Sequence, residues 1–249
     1  PASVMSVSGT TYFSANDGVN GVELWRLNSA GVAEMVEDAV PGGGISPGSG
    51  NSSPLSLTNV NGTLYFTAND GTNGTELWRV NSSGIAEMIE DSLPSGGINP
   101  GSAASVPAYG LYLTNVNGTL YFTANDGTNG RELWRLNSSG IAEMVEDAVP
   151  GGGIRPGSAS SYPAGLTNVN GTLYFGATDG TNGTELWRID STGTAVMVED
   201  AVDGGGIRPA SASSSPAGLT NVNGTLYFGA TYGTNGTELW RIDSTGTAV

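Results

Sequence analysis

Three residue types are missing from the chain: it has no Cys, no His and no Lys. Without Cys there are no disulfides, thiolate nucleophiles or Cys-based metal sites. Without His and Lys, the commonest general base, imidazole metal ligands and Schiff-base chemistry are excluded as well. Charge is scarce, at 12% of residues where about a quarter is usual. It is also one-sided, with 8 Arg against 23 acidic residues and a net charge of −15. Such a surface repels phosphate backbones and anionic lipid, so neither nucleic acid nor a membrane surface is an expected partner. It suits bound cations, a salty medium or plain solubility. No apolar run reaches transmembrane length and no signal peptide is visible, so no membrane insertion is expected. The chain opens on Pro1 rather than Met, as a processed or excised piece would.

What is present points to strands and turns. There are 40 Gly and 12 Pro among many Ser, Thr and Asn, a composition of tight turns. No sustained 3.6-residue period appears, so no helix is expected. The apolar residues, 37% of the chain, fall in short patterned runs, which argues against disorder.

Those runs repeat. Trp25, Trp78, Trp134, Trp187 and Trp240 recur every 53 residues, with one interval of 56, and each sits in the tetrapeptide ELWR. Upstream stands NGTLYF, starting at Asn61, Asn117, Asn170 and Asn223, or SGTTYF from Ser8. Three extra residues within 106–112 account for the long interval. The repeats read as 1–53, 54–106, 107–162, 163–215 and 216–249. In the fourth, LTNV is a first strand and Asn170-Gly171 a two-residue hairpin turn. TLYFGAT is the second strand, TELWRID the third and TAVMVED the fourth. Period-two alternation puts Glu185, Trp187 and Ile189 on one face and Leu186 and Arg188 on the other.

Four antiparallel strands per repeat, apolar on both faces, predict an all-β fold: a five-bladed β-propeller of four-stranded antiparallel blades, forming a single domain over 1–249. A β-solenoid would have shorter coils, and five separate beads would leave an apolar face of each sheet in water. One large aromatic per blade is expected to fill the wedge between blades, so the five Trp side chains should be largely buried. A Glu–Arg pair between neighbouring blades is expected from the ELWR segments. Val249 aligns with Val196, so the fifth repeat stops within its last strand. The expectation is either a native chain that continues past Val249 or a fifth blade completed by another copy. A short outer strand that is simply tolerated is the plain alternative.

The recurring ELWR-x-[ND]-S-x-G stretch, preceded by NG-x-LYF and an NDG-x-NG loop, resembles the bacterial repeat family described by its ELW…DGT motif. The likeness covers all five repeats, although its DGT portion is loosened here, for example to Asp190-Ser191-Thr192-Gly193-Thr194. That family occurs in large secreted or surface proteins, so the resemblance implies an extracellular repeat protein, secreted or on the cell surface. The NG-x-LY hairpin is also similar to that of five-bladed lectins of the tachylectin type.

Candidate sites follow from the loops. NDGVNGVE, NDGTNGTE, NDGTNGRE and TDGTNGTE place Asp17, Asp70, Asp126 and Asp179, with Asn73 and Asn182, among Gly residues. Such oxygens are what a hard cation takes, and Ca²⁺ is the candidate cofactor. The alternative is a turn in which Asp caps its own backbone. Tyr232 replaces the Asp in the fifth repeat, which favours the turn. The long linkers, such as GGGIRPGS at 151–158, lack the GK[ST] ending of a phosphate loop. They read as crossing loops on one rim, where Arg155, Arg208, Tyr109 and Tyr162 are the candidate binding residues. Asn61, Asn117 and Asn223 head sequons, but they stand where the turn requires Asn.

Paired carboxylates recur at Glu37-Asp38, Glu90-Asp91, Glu146-Asp147 and Glu199-Asp200. A glycosidase needs two carboxylates in different environments, and repetition supplies equivalent ones. Identical copies suit multivalent binding instead. The expected function is therefore a non-catalytic binding or adhesion propeller that takes a glycan or other surface ligand. The alternatives are a structural module or filament subunit and, last, a glycosidase-like enzyme.

Overall fold

The computed structural model describes residues 2–40, 42–92, 97–99, 104–105, 113–149, 153–200, 206–208, 212–233 and 236–249. The described residues contain no helix; they build five sheets, one per repeat. The first holds β1 (Ala2–Val7), β2 (Thr10–Asn16), β3 (Val22–Leu27) and β4 (Ala33–Met35) in sequential order. The second holds β5 (Leu55–Val60), β6 (Thr63–Asn69), β7 (Thr75–Val80) and β8 (Ala86–Met88). The third holds β9 (Thr114–Val116), β10 (Thr119–Asn125), β11 (Arg131–Leu136) and β12 (Ala142–Met144). The fourth holds β13 (Ala164–Val169), β14 (Thr172–Thr178), β15 (Thr184–Ile189) and β16 (Ala195–Met197). The fifth has three strands, β17 (Ala217–Val222), β18 (Thr225–Thr231) and β19 (Thr237–Arg241). Its outer strand is reduced to one bridge, Ile242 to Ala248, with Val249 exchanging two backbone hydrogen bonds with Arg241.

The turn chemistry explains the register. Asn61 and Gly62 have φ of 51° and 82°, the pair of positive angles that a two-residue hairpin turn with the sheet's own twist requires. Asn59 Oδ1 accepts from the Gly62 amide at 2.9 Å and fastens the turn. From there the pairing runs Val60 to Thr63 and Thr58 to Tyr65, then shifts at a bulge before Leu55. The first strands of the fourth and fifth sheets bulge at the same place. The fourth strands are shorter than the sequence implies. After Met197 the chain leaves the ladder to begin its crossing, keeping one bond from the Val198 amide to the Leu186 carbonyl.

By their internal contacts the residues form two compact units. One comprises Pro1–Leu120, Ala124–Gly127 and Leu136–Glu143; the other comprises Tyr121–Thr123, Thr128–Arg135 and Met144–Val249. The third sheet contributes to both. In the first unit the core lies between the first two sheets. Val7, Tyr12, Leu24, Val36 and Ile45 of one repeat pack on Leu64, Phe66, Trp78, Val80 and Ala86 of the next. In the second unit Val169, Tyr174, Leu186, Val198 and Ile207 pack in the same way on Leu226, Phe228, Ala230 and Ile242. In each of these two pairs the earlier sheet offers a Tyr–Leu face and the later sheet a Phe–Trp face. This accounts for the apolar residues on both faces of the second and third strands.

The Trp expectation holds for the inner repeats and weakens at the outer ones. Trp78, Trp134 and Trp187 are buried, whereas Trp25 and Trp240 are half-buried. Trp25 lies on a Phe–Trp face that no other sheet of its compact unit covers. Removing a buried Trp deletes its transfer energy and leaves a cavity, so Trp78→Ala should cost about 3–5 kcal/mol. Trp25→Ala should cost roughly half as much. Guanidinium unfolding followed by circular dichroism checks the order, and equal losses would show that Trp25 is as enclosed as Trp78.

Candidate functional site

Each repeat has two ends. One carries the NDG loop and the long crossing; the other carries the NG turn and the turn between the third and fourth strands. At the crossing end, the Glu of ELWR does not pair with Arg as expected. Glu23, Glu76, Glu132 and Glu185 are fully buried, and each clamps the crossing that follows its own sheet. Glu23 accepts the Ile45 amide at 2.9 Å, the Ser52 amide at 2.9 Å and the Ser52 hydroxyl at 2.7 Å. Glu76 takes the Ile98 and Ser105 amides at 3.1 and 2.8 Å and the Ser105 hydroxyl. Glu132 takes Ile154 at 3.0 Å and the Ser161 amide and hydroxyl at 2.8 and 2.6 Å. Glu185 takes the Ile207 and Ser214 amides at 3.0 and 2.7 Å.

The last glycine of each run has the same cause. Gly44 has φ of 86°, and a Cβ there would come within 2.5 Å of the Glu23 carboxylate. Its amide donates to a second carboxylate, Glu37, at 3.1 Å. Gly97 with Glu90, Gly153 with Glu146 and Gly206 with Glu199 repeat the arrangement. The Glu members of the paired carboxylates are therefore spent on holding the crossing.

Burial pushes the four clamp carboxyls up, against the pull of their hydrogen bonds, and Glu76 and Glu132 reach about 7. A carboxyl with a raised native pKa binds its proton more tightly when folded. The stability it adds is complete below its unfolded value near 4.5 and is lost as the pH rises through about 7. Asp38 and Asp147, also pushed up by burial, act in the same direction. The carboxyls held low by hydrogen bonds, such as Asp17, Asp190 and Asp243, lose their contribution only below this window. Melting temperature should therefore fall from pH 5.5 to pH 8. Glu76→Gln should flatten that slope. It should also cost about 1–3 kcal/mol, since an amide cannot accept all three donors. A wild-type melting temperature rising across this range would refute the assignment.

The NDG loops close on themselves. Asp17 Oδ1 accepts the Val19 and Asn20 amides at 2.9 and 2.8 Å, and Oδ2 accepts Asn20 Nδ2 at 2.7 Å. Asp70 is held in the same way by Thr72 and Asn73, and Asp179 by Thr181 and Asn182. Asp126 stands at the same place in the third repeat. Among the described residues no three acidic side chains are grouped to hold a metal ion. In the fifth repeat Tyr232 lies with its ring centroid 5.9 Å from that of Trp240. With the Asp oxygens occupied by loop amides, removing Ca²⁺ with a chelator should leave the melting temperature unmoved; a large drop would assign the loops to a metal.

Three of the four rim candidates are described, each with its own surroundings. The Arg155 guanidinium lies against Gly180 in the next repeat's loop and donates to the Ser160 carbonyl at 3.3 Å. Arg208 donates to the Ser213 carbonyl at 3.4 Å. Tyr162 is exposed, with φ of 51°, the conformation that Ser53 and Ser215 adopt at the same position. Tyr109 lies outside the described residues.

At the turn end, a row of side chains recurs that sequence reasoning did not single out. Thr58, Tyr65, Arg79 and Glu87 are directly opposite one another across four strands. Met5, Tyr12, Arg26 and Glu34 form the same row in the first sheet. Arg26 Nε contacts Glu34 at 2.6 Å, and Arg79 pairs with Glu87. The Arg also reaches the following repeat, Arg26 Nη1 donating to the Gly84 carbonyl at 3.0 Å and Arg135 Nη1 to that of Gly193 at 3.1 Å. The signal was in the sequence. Arg was already placed opposite Trp, and the Asn-Gly turn sets Tyr beside it.

Open polar cavities lie along these rows. One of about 410 Å³ is lined by Thr10, Tyr12, Arg26, Asn28 and Glu34. One of about 430 Å³ is lined by Thr63, Tyr65, Arg79, Asn81 and Glu87. A third, of about 380 Å³, lies between the second and third repeats, bounded by Asn61, Tyr65, Arg79, Asn137 and Ser139.

No family model matches the chain, and no curated protein matches it. Among solved structures, it is similar to TolB from Acinetobacter baumannii, with 14% identity and a TM-score of 0.40 over 98% of this chain and 53% of that one. It is also similar to a structure from a study of two prolyl endopeptidases, with 12% identity and a TM-score of 0.47 over 96% of this chain and 32% of that one. An α-L-arabinofuranosidase from Clostridium thermocellum gives 16% identity and a TM-score of 0.32 over 99% of this chain and 91% of that one. The chain thus spans about half the length of TolB. Likenesses this distant say nothing about activity.

Proposed function

We propose that the five sheets are the blades of a five-bladed propeller that binds rather than catalyses. Its ligand is a glycan or other polar surface ligand, taken in repeated sites at the turn end. The observation that carries this reading is the recurrence of one polar cavity, built on the Tyr–Arg–Glu row, in successive repeats. Tyr offers a ring edge and a hydroxyl, Arg a fork of donors, and Asn and Ser amide and hydroxyl groups. Together they match the mixed donor and acceptor surface of a sugar. Equivalent sites give equivalent environments, which favours additive weak binding over a single asymmetric catalytic centre. The buried carboxylates, which could otherwise pass for catalytic acids, are occupied in holding the crossings. Such a module belongs outside the cell, secreted or on its surface.

The test is binding of the purified chain to a panel of neutral mono- and oligosaccharides, free in solution and immobilised at high and low density. Several equivalents should bind weakly in solution. Apparent affinity on a dense surface should exceed the solution value by about 10²–10⁴. Binding to none of the panel, or a single equivalent with no density dependence, would overturn the reading.

A further inference from the structure

The fourth repeat breaks the row at one position. Its register runs Thr167, Tyr174, Arg188 and Val196, so an apolar side chain stands where Glu34 and Glu87 face their Arg. The second contact is missing too. Gly84 and Gly193 each have the preceding repeat's guanidinium against them, whereas the space over their counterpart Gly246 is open. Arg188 is half-buried beside Tyr174 and, among the described residues, has no hydrogen-bonded or ion-paired partner for its guanidinium. Asp190, two residues on, and Asp243 in the matching turn of the fifth repeat are both held within their own turns. Asp190 Oδ1 accepts the Thr192 amide and hydroxyl at 2.8 and 2.6 Å and the Thr194 amide at 3.0 Å. Asp243 is held in the same way by Thr245 and Thr247. Arg241, at the matching position of the fifth repeat, is exposed and itself cationic.

We propose that Arg188, with Tyr174 beside it, binds the carboxylate of an acidic sugar in the fourth repeat. This rests on reading the turn-end rows as ligand sites and names the ligand class of one of them. A partly desolvated guanidinium without a counter-ion is costly, and a carboxylate answers it with two parallel charge-assisted hydrogen bonds. In the first two repeats the protein's own Glu takes that place, so a uronate carboxylate there would meet an occupied fork and a like charge. In the fourth, Val196 leaves the fork unmatched, and the open space over Gly246 gives the sugar room. The same chain therefore discriminates between neutral and acidic residues of a glycan by a Glu-to-Val change within an otherwise constant row.

Calorimetric titration with sodium D-glucuronate, D-glucose and sodium acetate tests this on the wild-type chain, Arg188→Gln and Val196→Glu. Glucuronate should bind the wild type with one equivalent, more weakly as salt is raised. Each variant should weaken it by at least about tenfold. Val196→Glu installs the residue that three other repeats carry at this position, so its melting curve should resemble that of the wild type; should it fail to fold, Arg188→Gln carries the test. Acetate at equal concentration should not compete. Unchanged glucuronate affinity in both variants, equal competition by acetate, or no glucuronate binding at all would overturn the proposal. Neutral glycans binding without glucuronate would remove this inference and leave the general reading standing. Glucuronate binding lost in Arg188→Gln, with no neutral glycan bound, would do the reverse.

Discussion

A buried carboxylate holding a stretch of otherwise unpaired backbone is the constraint on which this architecture depends. The described residues of the crossings lie outside the strands, and backbone amides removed from water must find an acceptor. Glu23, Glu76, Glu132 and Glu185 supply it, each from the start of a third strand, and the Ser hydroxyls complete the set. The clamp fixes where the crossing turns, the crossing seats an Ile against the third-strand Leu, and that Ile joins the Tyr–Leu face. Glu238 has no described crossing to hold and is exposed. Leu239 beside it is 76% exposed, where Leu24, Leu77, Leu133 and Leu186 are fully buried. In the first and fourth repeats that face is covered both by the crossing Ile and by the following sheet.

The strands were legible in the sequence because their signals are local. Asn-Gly turns fix the hairpins, and alternation fixes the faces, so the four-strand order of each repeat follows directly. The clamp was not legible in the same way. Glu next to Leu and Trp reads as a half-exposed strand position, and nothing adjacent to it says that its partners lie 22 and 29 residues downstream. The glycine run was read as a rim loop open to ligands. Its last glycine stands where a Cβ would meet the clamp carboxylate, a constraint visible only once the chain has folded back. In the first, second and fourth repeats the loop carboxylate is held by amides of its own loop.

The turn-end rows were missed for another reason. Tyr, Arg and Glu come from three separate strands, and each alone is an ordinary strand residue. They become a row only through registers set by two turns. The comparison between repeats is then informative in a way that no single repeat is. Arg is constant in all five, while its opposite number is Glu in three and Val in two. The turn residue Asn28, Asn81 or Asn137 becomes Asp190 or Asp243 over the same divide. Charge has moved from the fourth strand into the turn, where hydroxyls absorb it, and the constant Arg is left in a different electrostatic setting.

Because each clamp joins a strand to the crossing of its own repeat, the contacts that set the fold are short-range along the chain. A polypeptide built this way closes loops of a few tens of residues rather than of hundreds, and the entropy lost at each closure is small and nearly the same in every repeat. Folding can then begin at any sheet and spread to its neighbours, with no single nucleus on which the rest must wait. Speed follows from the same geometry, since rates fall as the average separation of contacting residues grows. Duplication of one repeat adds a segment that already contains its own means of turning the corner.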